Sequence, residues 1–140
     1  MQITPQLFTQ FYAQLEAAGL RRTQTRVRLF EVLAAASAPL SIQDIIACIG
    51  SSHFVSVYRN IDRLQAAGII KAVPQGLKYR YELSDVYKPH HHHITCTNCA
   101  AAATIDDAAI EQQINQLALN ADYRLTHHHL ELYGRCSKCC

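Results

Sequence analysis

Apolar residues recur at helical spacing from the start of the chain. Leu7, Phe8, Phe11, Tyr12, Leu15 and Ala18 predict a helix from about Pro5 to Ala18, with Gly19 as its stop. Thr23 is placed to cap a second helix reaching about Ala36, with Val27, Phe30, Val32 and Leu33 as apolar positions. Ser37-Ala38-Pro39 breaks it. Ser41 caps a short third helix, and Asp44, three residues on, completes a capping-box-like start. Gly50 ends that helix. Ser51 or Ser52 opens a fourth, carried by Val55, Val57, Tyr58, Ile61 and Leu64 and ending near Gly68.

The period then changes. Ile69-Ile70-Lys71-Ala72-Val73 is short and rich in β-branched residues, Pro74-Gln75-Gly76 signals a turn, and Lys78-Tyr79-Arg80-Tyr81-Glu82-Leu83 alternates as a return strand. Helices closed by a hairpin make a winged helix-turn-helix over residues 1–84, with Ser52–Ala67 as the recognition helix. Residues 85–89, polar and ending in Pro89, are the expected hinge. Residues 90–140 form a second domain: an extended His/Cys segment, a stretch over Ala100–Ile105, a helix opened by Asp106 and Asp107 and running to about Asn120, and a long strand over Tyr123–Tyr133. The expected class is α+β, a winged helix followed by a small α/β domain.

Composition sharpens the division. The 140 residues, 49% apolar, suffice for one ordinary domain or two small ones. Up to Ser84 there are nine Lys/Arg against five Asp/Glu; beyond it there are four against six. Seven of the eight His and five of the six Cys also lie beyond Ser84. A basic half thus precedes a half rich in metal donors, although this small charge excess by itself also describes an ordinary solvated surface. No stretch is long and apolar enough to span a bilayer, and the opening residues lack a signal peptide's basic and apolar regions. The expected location is the cytoplasm, where paired cysteines argue for metal or redox chemistry rather than disulfides.

Cys96-x-x-Cys99 and Cys136-x-x-Cys139 are two thiolate knuckles. Each can clasp one edge of a tetrahedron, and four thiolates make a closed structural zinc site. A redox dithiol explains one pair but not both. Cys48 sits in an apolar helical run and is expected to be a core thiol. In the run His90-His91-His92-His93, an extended backbone turns alternate side chains to opposite faces. His90 and His92 then face one way, His91 and His93 the other, and one run can serve two sites. In the later run, His128 shares an inward face with Leu130 and Leu132, while His127 and His129 point outward with Glu131. Candidate ligands for one site are His90, His92, His128 and Glu111. Candidates for the other are His91, His93 and Glu82 at the end of the wing.

These segments, together with Leu20-Arg21-Arg22-Thr23-Gln24-Thr25-Arg26, Val57-Tyr58-Arg59-Asn60-Ile61, Tyr81-Glu82-Leu83 and His128–Cys139, closely resemble the Fur superfamily of bacterial metal-responsive repressors over nearly the whole chain. The resemblance implies a winged-helix DNA-binding domain, an α/β dimerisation domain and a homodimer. It further implies metal-dependent binding to A/T-rich palindromic operators in double-stranded DNA and repression of metal-uptake genes. By position, Cys96, Cys99, Cys136 and Cys139 correspond to the family's structural zinc site. His90, His92, Glu111 and His128 correspond to a second site, and Glu82, His91 and His93 to parts of a hinge sensing site. Tyr58 and Arg59 correspond to DNA contacts, with Arg21, Arg59 and Arg63 neutralising phosphate.

Two departures stand out. Iron-sensing members usually add a histidine ahead of the third helix, where this chain has Pro39, and an acidic residue where it has Thr104. A site short of two such ligands suits tetrahedral zinc better than six-coordinate Fe(2+) or Mn(2+). The expectation is a zinc-sensing repressor, with an iron- or manganese-sensing one as the alternative. The reading from a different class is a zinc hydrolase or deaminase. His129-Leu130-Glu131 precedes the second knuckle, but Arg135 stands where the deaminase signature has proline.

Overall fold

The protein is described from a computed structural model, which describes residues 4–50, 54–75, 78–126 and 128–139. The chain separates into two compact units, Met1–Pro89 and His90–Cys140.

In the first unit, helix α1 (Pro5–Ala17) is capped by Thr4, whose side chain accepts from the Leu7 N–H. Helix α2 (Gln24–Ala35) is capped by Thr23, which accepts from the Arg26 N–H. Helix α3 (Ile42–Ile49) starts on the expected capping box, Ser41 and Asp44 bonding reciprocally, and ends at Gly50. Helix α4 spans Phe54–Ala66. The residues expected to open it, Ser51 and Ser52, lie outside the described residues. It stops where Gly68 takes φ +68°, a left-handed conformation that strains any residue with a Cβ, and the Ile69 N–H bonds back to the Leu64 carbonyl at 2.9 Å.

Strands β1 (Ile70–Gln75) and β2 (Lys78–Leu83) pair antiparallel, Ile70 opposite Leu83 and Lys71 opposite Glu82. Pro74 and Gln75, expected in the turn, continue β1. In a two-stranded sheet the missing Pro74 N–H can face outward, so the ladder loses nothing. Leu40 and Tyr81 add a single bridge beside β2 through two backbone bonds of 2.9 and 2.8 Å.

The core of this unit joins α1, α2, α3, α4 and the hairpin. Phe11 stacks on Phe30 with centroids 4.2 Å apart, and Leu15, Leu29, Leu33, Ile45, Val57, Ile61 and Leu64 are fully or almost fully buried around them. Tyr87 meets Phe30 edge-on at 5.2 Å and donates to Gln14 Oε1 at 2.5 Å; burial pushes its hydroxyl up to about 12. Lys88 Nζ reaches the Ala36 carbonyl at 3.1 Å. The stretch 85–89, expected as a hinge, therefore packs as part of the first unit, and the division falls after Pro89. Cys48 is exposed rather than a core thiol, because α3 buries Ile45 and turns Cys48 outward.

The second unit is a three-stranded sheet of order β4-β3-β5 with one helix. Strand β3 is His92–Cys96, β4 is Ala102–Ile105, helix α5 is Ala108–Asn120 capped by Asp107, and β5 is Glu131–Gly134. Strand β4 is antiparallel to β3, and β5 is parallel to it. The long strand expected over Tyr123–Tyr133 is thus only four residues. Its partner β3 is itself short, beginning at His92, and among the described residues the pairing starts at His93 with Glu131. Among the described residues, no helix is long and apolar enough to cross a membrane.

Candidate metal centres

One register builds two centres. Strands β3 and β5 run parallel with His93 opposite Glu131 and Cys96 opposite Gly134. Their C-terminal ends therefore carry both cysteine knuckles to one edge, and their N-terminal ends carry histidines to the other. Position 38 residues beyond His90 is His128, the same offset that pairs His93 with Glu131.

At the C-terminal edge, Cys96, Cys99, Cys136 and Cys139 converge, with all four sulfurs within 4.8 Å of one another. The first knuckle turns through Ala100, at φ 57°, closed by the Ala100 N–H on the Cys96 carbonyl at 2.9 Å. The second closes with the Cys139 N–H on the Cys136 carbonyl at 2.8 Å, and the Thr97 N–H on the Gly134 carbonyl ties the two strands together. Cys99 and Cys136 sulfurs lie 3.8 Å apart.

The thiols are strongly differentiated. Backbone N–H groups of Cys136, Cys99 and Asn98 pull the Cys96 thiol down to about 6. Asn98 pulls on Cys139, but its contacts with the Cys99 and Cys136 sulfurs, with burial, outweigh that and push it up to about 11. The cluster thus stabilises a first thiolate and resists the last. A cation reverses that resistance by ionising all four. Four soft donors at mutual contact, without an open fourth position, fit a closed tetrahedral zinc site.

At the N-terminal edge, His90, His92 and His128 surround one carboxylate oxygen from the first turn of α5. Glu111 Oε1 lies 2.5 Å from His92 Nε2 and 3.5 Å from both His90 Nε2 and His128 Nε2. His90 and His128 Nε2 atoms are 3.2 Å apart. Burial pushes the Glu111 carboxyl up, but the His92 hydrogen bond and the charges of His128 and His90 win and hold it below the usual carboxylate range. His92 is buried, and its ring lies edge-on to His90. Three imidazoles and a carboxylate suit zinc, iron or manganese. All four residues expected here are brought together.

The alternation in the histidine run also holds. His91 and His93 rings meet edge-on with centroids 4.8 Å apart, separately from the His90–His92 pair. Across the sheet Thr104 stands opposite His93. Glu82 lies in the first unit, buried at 2% exposure, and its Oε1 is 3.3 Å from Lys71 Nζ. His129 is half-exposed and bonds Glu131 at 2.7 Å, which holds that carboxyl below its ordinary range. His127, its expected companion, lies outside the described residues, as do His53 and Cys140.

On α4, Val57, Ile61 and Leu64 face the core, leaving Tyr58, Arg59 and Arg63 exposed; Arg21 is exposed ahead of α2. Two features escaped the sequence reading. Phe54, at 57% exposure, extends the outward face of α4, and so does Val55, expected among the helix's apolar positions but 67% exposed because it lies off the Val57–Ile61–Leu64 face. Lys71 was visible only through the hairpin register that sets it across from Glu82.

The sequence model of the ferric uptake regulator family matches residues 17–133. The ferric uptake regulation protein of Vibrio cholerae serotype O1 is 32% identical over 128 residues, covering 87% of this chain and 84% of that protein. The solved Vibrio cholerae ferric uptake regulator aligns with a TM-score of 0.72 at 29% identity, over 87% of this chain and 96% of that one. The Helicobacter pylori regulator, a structure with three functional metal binding sites, shares the fold with a TM-score of 0.85 at 23% identity, over 99% and 94%. This chain therefore belongs to the ferric uptake regulator family, whose members are metal-responsive transcription regulators and not enzymes.

Proposed function

We propose that the protein is a zinc-sensing homodimeric repressor of metal-uptake genes that binds A/T-rich palindromic operators. Regulators of this family bind DNA as dimers; the choice of metal is the further step. What supports it is that two positions where iron-sensing members carry further donors hold none here. The position facing His93 on β4 is Thr104, which brings no carboxylate, and the position ahead of α3 is Pro39, which brings no donor side chain. Glu82, His91 and His93 alone suit a four-coordinate ion with one further donor better than an octahedral one.

In this reading Cys96, Cys99, Cys136 and Cys139 hold a structural zinc that cross-links the ends of β3 and β5. His90, His92, Glu111 and His128 hold a second ion between sheet and helix. Glu82, His91 and His93 form the sensing site, with one ligand before the division at Pro89 and two after it. An ion there favours whichever arrangement of the two units brings its ligands together, and it shifts the population only by that preference. Tyr58, with the exposed Phe54 and Val55, would meet base edges and thymine methyls, while Arg21, Arg59 and Arg63 neutralise phosphates.

The test is operator binding by fluorescence anisotropy in metal-buffered solution. Binding triggered at far lower free zinc than free ferrous iron or manganese supports the proposal. A response to iron or manganese alone replaces it with the second reading, a ferric-type regulator, which the name of the Vibrio cholerae relative favours. Binding indifferent to every metal removes the sensor reading.

A further inference from the structure

Lys71 and Glu82 stand directly opposite each other in the β1–β2 ladder. Glu82 is almost wholly withdrawn from water, at 2% exposure, so its charge must be balanced by a nearby cation. Lys71 supplies one: its Nζ is 3.3 Å from Glu82 Oε1 and 2.6 Å from Asp85 Oδ1. Asp85 thereby fixes the ammonium beside Glu82. Lys88 Nζ, bonded to the Ala36 carbonyl at 3.1 Å, also feels the Glu82 charge, which pulls its ammonium up against the lowering by burial, so Glu82 faces two ammonium groups, of which Lys71 is the one in ion-pair contact.

We propose that Lys71 is a resident competitor for the cation that Glu82 binds, and that it raises the metal concentration needed to fill that site. This rests on the reading of Glu82 as a metal ligand. A divalent ion at Glu82 places two positive charges on one buried carboxylate. The ammonium must either withdraw onto Asp85 or remain and repel the ion. Either way the metal-free state keeps a stabilising contact that the metal-bound state weakens. A lysine across the ladder is therefore a device for setting the sensing threshold, distinct from the ligands themselves.

The experiment is a zinc titration of the full-length protein against a chromophoric chelator, with the cysteine site already loaded. The site of interest is the one lost in Glu82→Gln. Lys71→Met should tighten that site about tenfold, since removing a like charge a few ångströms away is worth at least one unit of log affinity. Lys71→Gln, which leaves Glu82 a neutral hydrogen-bond donor, should tighten it in the same direction and guards against misfolding of the methionine variant. Lys71→Arg should bind as wild type does. The metal-free Lys71→Met protein should melt earlier, with the deficit shrinking when zinc is added. Equal or weaker zinc binding by both neutral variants overturns the role of Lys71 while leaving Glu82 as a ligand. Wild-type binding by Glu82→Gln overturns the site reading itself, and the competitor role with it.

Discussion

The two units are stabilised in different ways. The first encloses a cluster of fourteen buried residues, Phe11 to Tyr87, drawn from four helices and a hairpin. Among the described residues of the second, only Cys96 and His92 are buried, and both belong to the candidate donor clusters. Helix α5 buries nothing completely, and Leu117, Leu119 and Tyr123 stand exposed at 68%, 60% and 72%. Each fully buried large apolar side chain contributes roughly 1.5–3 kcal/mol, so the first unit has an ample apolar source of stability. The second lacks one, and on the function proposed above, metal held by two donor clusters at opposite ends of one parallel strand pair would take its place.

The strongest way to break this comparison is to remove the metal proposed for the cysteine cluster. Cys96→Ser should abolish binding at that site and collapse hydrogen-exchange protection across β3, β4 and β5, while α1 to α4 stay protected. Structural zinc binding contributes on the order of 10 kcal/mol, far more than this unit's apolar burial can replace. Persistent protection of β3 and β5 in the variant would show that the sheet needs no cross-link. The complementary change is Phe30→Ala, which removes the ring stacked on Phe11 and met edge-on by Tyr87. It should cost about 3–5 kcal/mol in chemical denaturation of the first unit and leave metal stoichiometry unchanged. Loss of metal in that variant would mean the units are not independently stabilised.

The same contrast governs what the sequence disclosed. In the first unit local rules and packing agree. Thr4, Thr23 and Ser41 cap the helices, the apolar stripes supply the core apart from Val55 and Tyr58 of α4, which stand exposed, and boundaries fall within a residue or two of expectation. Pro74 and Gln75 depart because an edge strand tolerates proline. Tyr87 departs because a lone aromatic in a polar stretch gives no periodic signal, although Phe30 and Gln14 hold it firmly. In the second unit the donors were legible, since Cys and His are rare and their spacing is chemical, and the alternation of the histidine run separated the two sets. The extent of β5 was not legible, because the apolar alternation of residues 123–133 is local while the strand's length is set by its partner. Cys48 misled for a related reason: α3 is apolar enough to look buried all round, yet only Ile45 among its residues is buried. Lys71 needed the hairpin register, which lies a step beyond any motif.

A smaller effect sharpens the contrast inside the second unit. Glu111→Gln removes the carboxylate that sits among three imidazoles. Metal affinity at that site should fall about 10–100-fold, while the cysteine-bound metal stays, as counted by metal analysis after graded chelation. In the metal-free protein the ionised carboxylate is favoured by the fold, since its pKa lies below the usual value. Its contribution is therefore present above the unfolded pKa and is lost as pH falls through the folded one. Glu111→Gln should show no such loss in that range.

The smallest effect belongs to the first unit. Ser41→Ala deletes the hydroxyl that accepts from the Asp44 N–H and donates to Asp44 Oδ2 at 2.7 Å, and should cost about 1 kcal/mol. Asp44 is held below its ordinary range chiefly by the Ser41 side chain and backbone. A depressed carboxyl contributes fully above its unfolded pKa of about 4 and loses the contribution as pH falls through the folded value. The gap between wild type and Ser41→Ala should thus be widest near neutral pH and narrow in strong acid to what the Asp44 N–H bond to the Ser41 hydroxyl contributes. Metal donors respond earlier on the same pH axis, because protons compete for imidazole and thiolate well above the carboxylate range. An acid titration followed by hydrogen exchange should therefore release the second unit first and leave the first unit folded until its carboxylates titrate. The reverse order, or a single transition in which Ser41→Ala shifts metal release, would show that the two units share one cooperative source of stability.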